Sequence, residues 1–279
     1  MIVNFYFIEI DRPLEIIFTD LAAAAERGCD SVEIGSDLGT YAGTSTDPVA
    51  STPYTDPITH IHIADIIQRA VELGIRRIMF RTDLHIPLTK QDIHDLYYLG
   101  VFFFRVPLFG YDDRTHRGIF PILTPLETTL AGIERLRTMH IPKVGQPPFI
   151  IIEVPVYQKN AEYLLKTIQL AVSLNVDTVS LRFVDDAVRY TDTLEIIDAV
   201  FDTAIGAKTW VEINGPPVCV RKERRFFFRD YYTECSGRNH MTKLESCAQC
   251  LFDGSCCGIP ESYLTIQGEA EFAPITAIE

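Results

Sequence analysis

The strongest constraint on this chain is a rhythm. Short apolar runs rich in β-branched and aromatic residues alternate with longer amphipathic stretches along most of its length. The strand-like runs are 2–10 (IVNFYFIEI), 30–35 (DSVEIG), 76–81 (RRIMFR), 101–108 (VFFFRVPL), 148–156 (PFIIIEVPV), 177–184 (DTVSLRFV) and 208–214 (KTWVEIN). Helices fit between them at 13–28, 58–74, 89–99, 124–140, 159–174 and 191–205. Gly28, Gly74 and Gly100 stand where helices should stop. Thr89 and Thr124 are candidate N-caps, the latter followed by Pro125 and Glu127. Near-continuous apolar strands joined through helices imply a parallel sheet covered by helices. The predicted class is α/β, a partial (β/α)6-type TIM-like barrel with a small cysteine-rich C-terminal extension. A doubly wound open sheet is the alternative. The first strand is followed by no Gly-rich phosphate loop, which argues against a nucleotide-binding Rossmann unit.

The rhythm stops near residue 214. The expected organisation is therefore a barrel over 1–214 and a cysteine-rich extension over 215–279. At 279 residues, 47 % of them apolar, the chain can bury a sizeable core. No apolar run reaches the ~18 residues that span a bilayer, so no membrane role is expected. MIVNFYFIEI lacks a basic leader and a cleavage site and reads as a strand, so the expected location is the cytoplasm. A net charge of −13 repels phosphate backbones and argues against general nucleic-acid binding. The basic, aromatic stretch Arg221–Arg229 (RKERRFFFR) runs against that charge. It is read as a solvated strand or turn, or as a site for an acidic peptide or single strand. The polar segment 36–57 follows the second strand and is a candidate lid or partner-binding loop, or a disordered insertion.

Most strands carry one charge among apolar neighbours: Glu33, Arg81, Arg105, Glu153, Arg182 and Glu212, with Glu9 near the end of the first strand. An unpaired buried charge is very costly, so these groups must pair or face a hydrated lumen. A polar barrel interior of this kind could bind a small zwitterionic ligand through Arg–carboxylate forks. It could equally be an internal ion-pair network that binds nothing. Asp83, His85, Asp185, Asp186 and Asn214 lie just past strand ends, where barrel enzymes place their chemistry.

Of seven cysteines, Cys235, Cys247, Cys250, Cys256 and Cys257 lie near the C-terminal end. Clustered cytosolic thiols suggest metal before disulfide. Residues 247–258 read C-A-Q-C-L-F-D-G-S-C-C-G, a C-x2-C-x5-C spacing that can bring three thiolates to one ion or cluster beside a flexible glycine. Cys219, after Pro216-Pro217, is the first candidate for a fourth ligand; Cys235, His240 and Cys257 are alternatives. Cys29, at a helix–strand junction, is read as a core residue.

With these motifs in view, the chain resembles the radical SAM superfamily. RVPLFGYDDRTHRGIF…TPLETTLAGIERLRTMHI (105–141) is similar to that family's fourth strand, loop and helix. IIIEVPVYQKNAEYLLKTIQLAVSLNVDTVSLRFV (150–184) is similar to the next strand–helix–strand. The tail Cys219…Cys247-x2-Cys250-x5-Cys256-x-Gly258-x4-Tyr263 is similar to the family's C-terminal auxiliary iron–sulfur segment. The resemblance implies a [4Fe-4S] cluster on Cys219, Cys247, Cys250 and Cys256, with zinc as the alternative. The chain departs from the family after the first strand. Glu9-Ile10-Asp11-Arg12-Pro13 runs into a helix with no C-x3-C-x2-C motif, and Gly35-Ser36-Asp37 stands where the family has Gly-Gly-Glu. The site candidates in the lumen are thus Glu33, Asp37, Arg81, Arg105, Glu153, Arg182 and Glu212. SAM binding is doubtful and SAM cleavage by this chain alone is not expected.

Three functions compete. The first is a degenerate radical-SAM-like protein that keeps its C-terminal cluster and works with a catalytic radical SAM enzyme or a peptide substrate, in peptide or natural-product modification. The second is a stand-alone barrel enzyme, with Asp83, His85 or Asp185 as acid or base. The third is a zinc-stapled binding scaffold.

Overall fold

A computed structural model describes residues 5–36, 56–86, 88–119, 124–139, 147–184, 186–228 and 241–277. Asp37, most of the polar 36–57 segment, Asp185, Arg229, Cys235 and His240 lie outside the described residues. All seven expected strands are present: β1 (Tyr6–Glu9), β2 (Ser31–Gly35), β3 (Arg77–Arg81), β4 (Val101–Pro107), β5 (Phe149–Val156), β6 (Thr178–Phe183) and β7 (Trp210–Asn214). They form one sheet in chain order, the order of a strand–helix barrel and not of a doubly wound sheet. No helix among the described residues is long and apolar enough to cross a membrane.

The chain divides into two compact units. The first is built on Val3–Pro107 and Asp112–Ile152. Its strands β1 to β4 pair in parallel, with Glu33 beside Met79 and Arg81 beside Arg105 in register. Helix α1 (Leu14–Glu26) buries Ile17, Leu21 and Ala24, a 4–3 spacing that puts all three on one face. Helix α2 (Ile63–Glu72) does the same with Ile66, Ile67 and Ala70. Helix α3 (Lys90–Tyr98) starts at the expected Thr89, which exchanges hydrogen bonds with Asp92 in a capping box.

Two features of this unit differ from the sequence reading. A short helix α4 (Asp113–Ile119) precedes α5 (Leu126–Thr138). Its signal was Asp112, whose carboxylate accepts from the Thr115 amide at 2.8 Å. Thr124 does not cap α5: its hydroxyl donates to Asp83 at 2.8 Å, and Pro125 occupies the cap position. A buried carboxylate is the stronger acceptor and takes the hydroxyl. Cys29 is half-buried rather than in the core.

The second unit is built on Leu108–Tyr111 and Glu153–Glu279. Strands β6 and β7 pair in parallel, with Ser180 beside Glu212 and Arg182 beside Asn214. Helices α6 (Leu164–Ser173) and α7 (Tyr190–Ala207) follow the expected pattern. After β7 the rhythm ends in a run of 3-10 turns over Val218–Phe227, an antiparallel pair β8 (Met241–Thr242) and β9 (Ile259–Pro260), and helix α8 (Glu261–Gln267). The basic stretch is a half-exposed run of turns, close to the solvated strand or turn expected, and it is held down. Arg221 and Arg224 pair with Asp198 on α7, Arg224 also reaches Asp202 at 3.2 Å, and Phe227 stacks on Phe201 with ring centroids 4.7 Å apart. Opposite charges on α7 and a stacking ring thus hold down a segment whose sequence alone suggested a partner.

Candidate metal centre

Chain direction and turn geometry bring four cysteines together in the second unit. Pro216 and Pro217 break the chain after β7, and Cys219 sits in the 3-10 turn that follows. Cys247 lies in a second 3-10 turn, Glu245–Gln249, and the Cys250 amide closes back on the Cys247 carbonyl at 2.9 Å. The Cys256 amide closes on the Phe252 carbonyl at 2.7 Å, and the Gly258 amide donates to the Cys256 sulfur at 3.3 Å. Cys219, Cys247, Cys250 and Cys256 line one cavity of about 30 Å³ walled by Phe252 and Phe272. None of the four is in a disulfide. Burial and the other three sulfurs push the Cys219 thiol up to about 12. Of the other ligand candidates, Cys257 is in a disulfide.

Gly258 is required here for a reason that spacing alone does not give. Its φ is +96°, and a Cβ on it would lie 2.4 Å from the Thr242 carbonyl oxygen. The glycine lets the cysteine loop pass against the β8–β9 pair. At the rim, Lys243 Nζ holds Asp253 Oδ1 at 2.8 Å.

The strand charges are paired. In the first unit Glu33 bridges two arginines: Arg81 Nε at 2.7 Å and Arg105 Nε at 3.2 Å, all nearly buried. In register Arg81 and Arg105 face one another, so the carboxylate one strand away offsets their repulsion. Gly35 packs so closely that a Cβ there would lie 2.6 Å from Arg81 Cβ. In the second unit Arg182 Nη1 is 3.7 Å from Glu153. Glu212 accepts from Ser180 Oγ at 3.0 Å and Asn214 Nδ2 at 2.7 Å. Glu9 pairs with Arg12 at 2.6 Å. Gln267 donates to the Asp186 carbonyl at 3.2 Å. Asp83 and His85 meet each other at the end of β3, where they are joined by Asp56, a residue that the sequence reading did not single out. Its signal was Asp-Pro at a helical start: the Asp56 carboxylate caps the 3-10 turn Pro57–Thr59 by accepting from Ile58 N.

The fold and the cysteine cavity together define an α/β chain with a parallel, barrel-ordered sheet and a four-thiol pocket. No family model matches the sequence, and no curated protein matches it. Among solved structures the chain is similar to SuiB of Streptococcus suis. With SuiB bound to precursor peptide SuiA the TM-score is 0.52 at 13 % identity, covering 80 % of this chain and 48 % of SuiB. With SuiB bound to S-adenosylmethionine it is 0.48 at 14 % identity, covering 73 % and 42 %. With SuiB alone it is 0.49 at 13 % identity, covering 80 % and 50 %. The likeness is one of fold, and this chain spans half the length of SuiB or less.

Proposed function

We propose that this chain is a radical-SAM-like protein that holds one [4Fe-4S] cluster on Cys219, Cys247, Cys250 and Cys256 and acts as the non-cleaving partner of a catalytic radical SAM enzyme in peptide modification. The observation that carries the reading is the convergence of those four cysteines on one cavity. The tail's resemblance to an auxiliary iron–sulfur segment favours a cluster over zinc. Four cysteines on one cavity match the thiolate ligand count of a [4Fe-4S] core.

The SAM-cleaving cluster does not fit this chain. Strand β1 passes to α1 through Ile10–Pro13 with no thiol, so nothing there can bind such a cluster and no SAM chemistry is assigned to this protein. The SuiB fold, seen with a precursor peptide, supports a peptide as the partner's substrate. We place the protein in the cytoplasm, with residues 215–279 as the cluster-bearing extension.

Iron, sulfide and zinc analysis of anaerobically purified protein tests the reading. About four irons and four sulfides per chain, lost in Cys250→Ala, are expected. One zinc and no iron would turn the protein into a stapled scaffold. Full activity of the neighbouring radical SAM enzyme without this chain would remove the partner role.

A further inference from the structure

We propose that Asp56, Asp83 and His85, in the first unit, form a mononuclear site for a divalent first-row transition metal ion. The three side chains come from both sides of β3: Asp56 caps the 3-10 turn before α2, and Asp83 and His85 follow the strand's last residue. That is the end of a barrel strand where this architecture places functional groups.

The donor geometry is already that of a metal face. His85 Nδ1 lies 2.9 Å from Asp83 Oδ1 and 3.5 Å from Asp56 Oδ2. The three ligand atoms lie within 4.8 Å of one another. Metal–ligand bonds of about 2.0–2.2 Å separate neighbouring donors by roughly 2.9–3.5 Å in tetrahedral or octahedral shells, so little movement is needed to close on an ion.

Each carboxylate is also fixed from behind. Asp56 Oδ1 accepts from Ile58 N at 2.8 Å and Oδ2 from the Thr82 hydroxyl at 2.5 Å. Asp83 Oδ2 accepts from Thr124 Oγ1 at 2.8 Å, leaving Oδ1 turned to His85. Outer donors of this kind orient metal ligands in built sites.

Charge points the same way. Asp56 and Asp83 are 1 % and 3 % exposed. Two carboxylates so dry need a cation beside them, which the His85 imidazolium supplies without metal and a bound ion would replace. His85, 39 % exposed at its side chain, forms the mouth through which an ion would enter. Two oxygens and an imidazole nitrogen, with no sulfur, select manganese, iron or zinc over soft ions.

Manganese separates this site from the cysteine cavity, because thiolates discriminate against it. The experiment titrates Mn2+ into the full chain and follows loss of the free-ion EPR signal. One Mn2+ per chain is expected. Asp56→Asn, Asp83→Asn and His85→Gln should each weaken binding by about tenfold or more, and Thr124→Val, which removes an orienting donor, by about tenfold. Cys250→Ser should bind as wild type. His85→Gln removes the imidazole that both buried carboxylates contact, so a native far-ultraviolet circular dichroism spectrum, rather than the melting temperature, shows that its loss of binding reads the ligand and not the fold. A full free-ion signal with wild-type protein in excess would overturn the site, as would binding that survives all three ligand substitutions. The trio would then be an ion-paired histidine.

Discussion

Tyr263 lies flat on Tyr190, with ring centroids 3.9 Å apart and ring planes 13° from parallel. The pair fastens the cysteine-bearing end of the second unit to the start of α7. The Tyr263 hydroxyl accepts from the Tyr190 amide at 3.0 Å and donates to Glu271. Phe272, beside Glu271 in sequence, packs edge-on against both rings and forms part of the cysteine cavity wall. Tyr263→Phe keeps the stack but leaves a buried amide and a buried carboxylate short of a partner. The expected cost is about 1–3 kcal/mol, read as a lower urea midpoint with unchanged slope. An unchanged midpoint would mean the hydroxyl contributes nothing.

Glu271 gives this anchor a pH dependence. Burial pushes its carboxyl up, but hydrogen bonds from Thr191 and Tyr263 and the Arg189 charge outweigh burial, so it ends below the usual carboxylate range. A carboxyl with a depressed folded-state pKa stabilises fully above its unfolded pKa, and that stability is lost as pH falls through the folded value. The stability gap between wild type and Glu271→Gln should therefore be constant above about pH 5 and shrink in acid. Urea melts at neutral and acidic pH measure it; a gap that widens in acid would reverse the sign.

Much of this was legible in the chain because the signals were local. Seven strands announced themselves by apolar runs, and Thr89 capped α3 as its spacing to Asp92 requires. The four cavity cysteines followed from C-x2-C-x5-C and a proline break. What escaped depends on distant partners. Thr124 looked like a cap until the buried Asp83 claimed its hydroxyl. Arg221 and Arg224 were read as part of a solvated turn or a binding strip, and nothing local foretold their pairing with Asp198 on α7. Asp56 lay inside a polar stretch, and its local Asp-Pro signal spoke only of a cap; its place beside Thr82, Asp83 and His85 comes from β3.

Gly258→Ala tests whether the cysteine loop tolerates any side chain. With φ at +96° and the Thr242 carbonyl oxygen 2.4 Å from the new Cβ, the loop or the β8–β9 pair must shift. Overpacking of this kind costs about 1–3 kcal/mol, and the shift moves Cys256, whose sulfur accepts from the Gly258 amide. Iron bound after anaerobic reconstitution should fall well below wild type while the far-ultraviolet circular dichroism stays near native. Full iron loading would show that the loop absorbs the methyl group without moving its thiol.

The Glu33 bridge decides whether the first unit's charged interior is framework or ligand site. Glu33→Gln takes the charge from a carboxylate that Arg81 and Arg105, side by side in the buried register, both reach. Breaking a buried pair from one side costs about 3–5 kcal/mol. Arg105→Met keeps the Glu33–Arg81 pair and fills the space with an unbranched apolar chain, so it should cost clearly less. This ordering, Glu33→Gln below Arg105→Met below wild type in urea midpoint, is the signature of a structural network. If Glu33→Gln instead melts like wild type and gains affinity for small carboxylates such as succinate, the two guanidiniums are a binding site that Glu33 merely fills, and the interior belongs to a ligand.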